Sequence, residues 1–214
     1  MRCLMYALLI FLIAGHGVYA ADKYPSDPNE LLRTRSYPIV KDPNELRDLL
    51  QSRWNAVIII HKKKDIDEKV KVEHIYKIVS PLFDFPLMAK LALGRTNWPR
   101  LSPPQREKFT RLFTSRLRSS YLEKMKFYKN EKALYKPVKQ KKKTIVYVPM
   151  QLITKDSEIV ILYKLRKADK FWKIYDVEIQ GVSILLTYRS QFDDILRRGT
   201  VKDFLSQLEK PPDD

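Results

Sequence analysis

The most informative pattern runs from Phe171 to Phe192. Tyr175, Val177 and Ile179 alternate with Asp176, Glu178 and Gln180, the period-two signature of a strand with one buried face. Gly181 ends the alternation. Beyond it, Leu185, Tyr188, Phe192, Ile195 and Leu196 recur every three or four residues, which predicts a helix with one apolar side. This stretch therefore reads as a half-polar strand, a glycine hinge and a helix folded back on the sheet.

Upstream, the period is helical. Asp27-Pro-Asn-Glu-Leu31 recurs as Asp42-Pro-Asn-Glu-Leu46. Each copy reads as a helix start, with Asp as the cap, Pro in the first turn and Glu placed to close a capping box. The second copy opens a helix through Leu46, Leu49, Leu50, Trp54 and Val57, ended by the basic run His61 to Lys64, as the helix dipole favours. Asp65 or Asp67 opens the next, with Val70, Ile75, Ile78 and Val79 on one side as far as Pro81. From Phe83 to Leu93 the chain is apolar nearly all round, so this helix is buried or borders an apolar ligand. Gly94 is placed to end it. Ser102-Pro103-Pro104-Gln105 starts the longest helix, whose stripe is Phe109, Leu112, Phe113, Leu117, Tyr121, Met125 and Tyr128.

From about Ala133 the period falls to two. Leu134 to Val138, Lys143 to Leu152, Glu158 to Arg166 and Lys170 to Ile179 read as four strands, antiparallel neighbours because their connections are short. Lys139 to Lys143 reads as a basic hairpin tip. Thr200 and Asp203 form a capping box for a last helix through Phe204, Leu205 and Leu208. Helices, an antiparallel sheet and helices again make an α+β layered fold.

The first residues change the picture. Arg2, the apolar run Leu4 to Ile13 and the small-residue site Val18-Tyr19-Ala20 read as a cleaved export signal over 1–20, too short for stable spanning. Residues 21–41 then read as a flexible arm, 42–210 as a single domain and 211–214 as a tail. The one cysteine, Cys3, leaves with the signal, which excludes a disulfide scaffold or a thiolate site. Lys and Arg number 41 against 25 Asp and Glu, a net charge of +16. Such a field favours anionic partners. In an exported protein it favours lipid headgroups or a bilayer surface over nucleic acid.

Catalytic signals are sparse. Beyond the signal the histidines are His61 and His74, and HExxH, GxSxG and glycine-rich phosphate loops are absent from the sequence. Asp84, between two phenylalanines, is either a carboxylate with a raised pKa or a helix cap. The cap is the better reading. Asp176 on the polar strand face reads as one half of an ion pair with an arginine.

Two blocks of residues carry a family resemblance. The first is Tyr175-Asp176-Val177, Gly181-Val182-Ser183 and Tyr188-Arg189-Ser190-Gln191-Phe192. The second is Phe83-Asp84-Phe85, Leu93-Gly94, Trp98, Ser102-Pro103, Gln105-Arg106, Phe109, Phe113 and Tyr121. Over residues 42–209 the chain resembles the MlaC family of phospholipid-binding, toluene-tolerance proteins. Arg95, Thr96 and Asn97 separate Gly94 from Trp98, one residue more than the family pattern has, which leaves that turn open.

The resemblance implies a curved antiparallel sheet of about four strands, nuclear-transport-factor-2-like or cystatin-like. Several helices pack on it, with a lipid-sized apolar cavity between. It also implies a monomeric, soluble periplasmic carrier without enzyme activity, metal or cofactor, with phospholipid as its cargo. Its partners would be an inner-membrane ABC transporter bearing an MCE-domain protein and an outer-membrane lipoprotein–porin complex, in the service of outer-membrane lipid asymmetry. On this reading Phe83, Phe85, Leu87, Met88, Leu91 and Trp98 line the cavity from one side. Phe109, Leu112, Phe113, Leu117 and Tyr121 line it from the long helix. Ile145, Tyr147, Ile159, Ile161, Tyr163, Tyr175, Val177, Ile179, Val182 and Ile184 line it from the strands and hinge. Arg95 and Arg189 are the headgroup candidates at its mouth. Two other readings compete: a small-molecule enzyme on the same kind of fold, using Asp84 and a tyrosine, and a basic membrane-surface module with a filled core.

Overall fold

The computed structural model describes residues 24–33, 37–122, 132–154 and 157–210. The expected signal over 1–20, the stripe positions Met125 and Tyr128, the side chain of Tyr121 and the tail 211–214 lie outside the described residues.

Both repeated helix starts form, but not as capping boxes. Asp27 precedes α1 (Pro28–Arg33) and Asp42 precedes a 3-10 turn, Pro43–Glu45. In each copy the Asp carboxylate accepts from the Asn amide, at 2.9 Å, rather than from the residue three positions on. Glu45 instead accepts from the Tyr24 hydroxyl at 2.8 Å. The expected flexible arm thus holds a helix and several anchors. Tyr24 and Val40 are buried, Arg53 Nη1 donates to the Pro25 carbonyl at 2.9 Å, and Tyr37 Oη donates to the Trp172 carbonyl at 2.5 Å. Two aromatic anchors and a buried valine outweigh the polar, proline-bearing composition of this segment.

Helix α2 (Leu46–Lys62) ends in His61 and Lys62, and α3 (Glu68–Val79) is capped by Asp67, which accepts from the Lys69 amide at 2.7 Å. Pro81 then forces a 3-10 turn, Ser80–Leu82. Helices α4 (Phe85–Asn97) and α5 (Pro103–Leu122) follow. After the sheet come α6 (Ile184–Arg198) and α7 (Val201–Glu209), the latter opened by the Thr200–Asp203 capping box that its sequence predicts. Among the described residues no helix is long and apolar enough to cross a membrane.

Among the described residues the sheet has six antiparallel strands, the four that periodicity predicts and two more. They are β1 (Lys132–Tyr135), β2 (Lys139–Lys142), β3 (Ile145–Ile153), β4 (Glu158–Ala168), β5 (Phe171–Ile179) and β6 (Val182–Ser183), in the order β1-β3-β4-β5-β6 with β2 also paired to β3. The two strands that periodicity does not reveal are short. β2 is a run of Lys and Gln with no apolar face, and β6 has two residues. Bulges in the β2–β3 and β4–β5 pairings add local twist and bend.

Register decides which side chains reach the core. Val146, Val148, Met150 and Leu152 of β3 lie opposite Leu165, Tyr163, Ile161 and Ile159 of β4. These in turn meet Ile174, Val177 and Ile179 of β5. All are buried. The opposite face is half-buried, with Ile145, Tyr147, Leu162, Lys164 and Glu178. The exposed edge of β5 is sealed from outside the sheet, by Tyr37 Oη on the Trp172 carbonyl and by the Asp84 amide on the Ile174 carbonyl at 2.8 Å.

Candidate functional site

The helices are held together by an aromatic cluster. Phe109 and Phe113 of α5 meet Phe192 of α6 at ring-centroid distances of 5.6 and 6.2 Å. Phe204 of α7 lies 5.7 Å from Phe109 and 5.3 Å from Phe192. Tyr188 closes on Phe113 edge-on at 5.3 Å. Such offset and T-shaped pairs add about 0.5–1.5 kcal/mol each beyond their buried area. The cluster fixes α5, α6 and α7 as one layer.

Helix α4 is attached to the sheet at its start and to α6 near its end. Asp84 caps it, with Oδ1 accepting from the Leu87 amide at 3.1 Å, while Oδ2 accepts from Arg166 Nε and Nη2 of β4 at 2.9 and 2.7 Å. The carboxylate that invited an acid–base reading is therefore a cap and an ion-pair partner. At Gly94 the backbone turns to φ 76° and the helix kinks. Arg189 of α6 fills that kink. Its Nε donates to the Leu91 carbonyl at 3.0 Å, and its Nη2 donates to the same oxygen. A Cβ on Gly94 would come within 3.2 Å of the Arg189 Nε. Between Gly94 and Trp98, where the family spacing left the turn open, Arg95, Thr96 and Asn97 continue the helix beyond the kink. Asn97 Nδ2 donates to Asp193 of α6 at 2.5 Å.

Between α4 and α5 lies an open cleft of about 410 Å³, lined by Asp84, Pro86, Leu87, Lys90, Trp98, Arg106, Glu107, Thr110 and Arg166. Its lining is apolar at Pro86, Leu87 and Trp98, basic at Lys90, Arg106 and Arg166, and acidic at Asp84 and Glu107. Arg106 lies 5.4 Å over the Trp98 ring and donates from Nε to the Trp98 carbonyl at 3.1 Å. Small-molecule sites run to about 300–1,000 Å³, so this cleft is at the small end.

The hinge between sheet and α6 is a polar node. Gln180 and Gly181 both have positive φ, 48° and 79°, and Ile179 pairs with Val182, a two-residue hairpin that matches the twist of its strands. Asp176, 5% exposed, then gathers the chain on both sides. Ser183 Oγ donates to its Oδ1 and Oδ2 at 3.0 and 2.8 Å, and the Leu185 amide donates to Oδ1 at 3.4 Å. Its ionic partner is Lys164 at 3.1 Å, not the arginine expected, and Lys164 also reaches Glu178 at 2.8 Å. Desolvation pulls the Lys164 ammonium down, but its hydrogen bonds to Glu178 and Asp176 and their charges outweigh that, and the net shift is upward.

Most of the expected lining residues are packed core. Met88, Phe109, Phe113, Leu117, Ile159, Ile161, Tyr163, Val177, Ile179 and Ile184 are buried. Phe83, Phe85, Leu91, Trp98 and Leu112 are partly buried against them. Leu87 and Trp98 alone among the candidates line the cleft. Val182 is 39% exposed, Arg95 is exposed, and Arg189 is committed to the Leu91 carbonyl. Ile145, Tyr147 and Tyr175 belong to the other face of the sheet. Ile145 and Tyr147 alternate with Val146 and Val148, so both faces of β3 are apolar and the period alone cannot choose between them. Tyr175 is displaced by the bulge, since Asp176 pairs with Lys164 and Ile174 with Leu165, and it shares a hydrogen bond with Tyr147. On the core face, Tyr163 stacks on Tyr135 at 6.4 Å and their hydroxyls are hydrogen-bonded. Burial pushes both phenols up.

Sequence reasoning missed Lys90, Arg106, Glu107, Thr110 and Arg166. Each is a polar position on an amphipathic element and reads as solvent-facing. Arg106, Glu107 and Thr110 gave one signal, their place just after Trp98 and the Ser102-Pro103 helix start; Lys90 and Arg166 gave none.

The protein is thus an α+β fold, an open antiparallel sheet with helices packed on one face and a cleft lined by α4, α5 and Arg166 of β4. The chain belongs to the MlaC family, whose model, described as MlaC protein, matches residues 53–210. The phospholipid-binding protein of Ralstonia solanacearum, solved in complex with a phospholipid, has a similar fold. The TM-score is 0.59 and the identity 24%, over 72% of this chain and 92% of that one. No curated protein matches the sequence.

Proposed function

We propose that this protein is a periplasmic phospholipid carrier, exported by a signal over residues 1–20. It would pass lipid between an outer-membrane lipoprotein–porin complex and an inner-membrane ABC transporter with an MCE-domain protein. The observation that carries the reading is the family match over 53–210. The phospholipid held by the Ralstonia protein on a similar fold supports it. The layered architecture supports it too, because a continuous apolar surface faces the helices from β3, β4 and β5. Each methylene of an acyl chain left in water costs about 0.8 kcal/mol, so a lipid crosses an aqueous compartment only on a surface of that kind. Residues such as Ile161, Val177 and Phe113, fully buried here, accept acyl chains when the helical layer moves off the sheet. The headgroup remains at the mouth, and of the two headgroup candidates Arg95 is the exposed one, with no ion pair among the described residues.

Native mass spectrometry of protein purified without detergent tests this. The expected result is a bound diacyl phospholipid mass, together with accelerated lipid transfer between vesicles. An empty protein that also fails to speed transfer would refute carriage.

A further inference from the structure

The fold gathers lysines that are far apart in sequence. β2 and the turn after it expose Lys139, Lys141, Lys142 and Lys143. Ile145 pairs with Arg166, and the Lys167 amide donates to the Thr144 carbonyl at 2.9 Å. The β2–β3 turn and the β4–β5 turn therefore leave the sheet at the same end. This adds Lys167 and Lys170, both exposed. Two described carboxylates lie near these lysines, the exposed Asp169 in the turn itself and Asp84, which is paired with Arg166 at 2.7 Å. None of the lysines forms an ion pair with a described residue. Lys141 lies 5.4 Å over the Tyr147 ring and Lys170 5.5 Å over Phe171, so aromatic faces steady two of the ammonium groups.

Lysines on an edge strand also discourage pairing with another sheet. That accounts for β2 but not for Lys167, which belongs to β4, an interior strand. A protein partner is a poorer fit, because lysine is depleted in protein interfaces and aromatic or arginine anchors carry most of their energy. The cleft beside α4 and α5 takes one residue, Arg166, from this end of the sheet and none of its exposed lysines. A concentration of exposed lysine ammonium groups suits a diffuse layer of negative charge. We propose that this end of the sheet docks on an anionic phospholipid bilayer. The inference goes beyond cargo binding and does not rest on it.

The test is cosedimentation of the full chain with vesicles of phosphatidylcholine, with and without phosphatidylglycerol, at low and high salt. One variant carries Lys141→Glu, Lys143→Glu and Lys170→Glu. A charge-matched control carries Lys62→Glu, Lys64→Glu and Lys69→Glu, exposed positions at the end of α2 and the start of α3. A lysine near an anionic surface contributes about fivefold to the partition constant. The cluster variant should therefore lose at least roughly 100-fold, and the control, which leaves this end of the sheet unaltered, should stay within about fivefold of the parent. Binding should require phosphatidylglycerol and weaken with salt. Equal losses in both variants would reduce the effect to net charge and overturn the proposal. So would unchanged binding of the cluster variant, or a parent protein that ignores anionic vesicles. Retention on an acidic protein without vesicle binding would make the patch a protein interface and would also overturn it. Circular dichroism shows that each variant is folded, and the mass of bound lipid reads cargo separately, so failure of docking and failure of carriage stay distinguishable.

Discussion

Asp176 is the most consequential single residue to remove. It accepts from Ser183 Oγ and the Leu185 amide and pairs with Lys164, so it joins β5, β4 and the first turn of α6. The carboxylate is 8% exposed and the Lys164 side chain 16%, which places the pair on the buried side of the range. Breaking a buried pair by deleting one partner costs about 3–5 kcal/mol. Lys164 keeps Glu178 at 2.8 Å, so Asp176→Ala belongs at the low end, about 3 kcal/mol. For a chain of this size that lowers Tm by about 6–12 °C. Asp176→Asn keeps one carbonyl acceptor and should cost about half as much. Ser183 also caps α6 through the Leu186 amide at 3.2 Å, so Ser183→Ala should cost about 1–2 kcal/mol. The double variant should cost at least about 1 kcal/mol less than the sum of the two singles, because both remove the same bonds. Urea unfolding followed by circular dichroism measures all four proteins, and the m-value should not change. A cost below about 1 kcal/mol for Asp176→Ala, or strict additivity with Ser183→Ala, would show that the hinge is held by something else.

Other expectations concern the backbone, the alkaline range and the cleft. Gly94→Ala should destabilise by about 1–3 kcal/mol, since it strains a positive φ and presses on Arg189. Gly181→Ala, with open space around it, should cost less, and thermal denaturation ranks the two. Burial holds Tyr163 and Tyr135 above the ordinary phenol value and pushes Tyr175 up to about 12, and Lys164 is shifted up as well. Groups raised on folding stabilise the native state below their unfolded pKa, about 10 for tyrosine and lysine. That stability is lost as pH climbs from there through the folded values. Urea midpoints should therefore fall above about pH 10, and Tyr163→Phe should flatten the fall. Asp84→Asn keeps the cap on α4 but weakens the pair with Arg166, which is 41% exposed. The loss should be about 1 kcal/mol or less and should shrink in salt, as urea midpoints at low and high salt will report.

Legibility from sequence followed the strength of the periodic signal. The hinge read correctly because Gly181 separates a clean period of two from a clean period near four, and the structure places β5, the turn and α6 there. The α4 start at Asp84 and the α7 capping box were legible because caps are local chemistry. β2 was not, because Lys139 to Lys142 carries no apolar face and its strand exists only through pairing with β3. The bulge at Tyr175 is likewise a property of two strands together, and no single strand records it. Candidate lining residues were the part the pattern decided least. An apolar stripe states that a side chain is removed from water, but not whether it faces a ligand or another phenylalanine, as Phe109 and Phe113 do. The cleft residues that were missed are charged or polar, so the hydrophobic pattern passes over them.

The family match begins at residue 53, yet the fold does not. Leu46 and Leu49 are completely buried and Leu50 nearly so, and Tyr37 ties down an edge of the sheet a further stretch upstream. Trimming the protein to the homology boundary would cut α2 in mid-helix and lay bare the apolar cleat under which the first half of the core is fastened. A fragment made that way would be expected to clump rather than fold, so an insoluble product would report on where it was cut, not on what the intact molecule does.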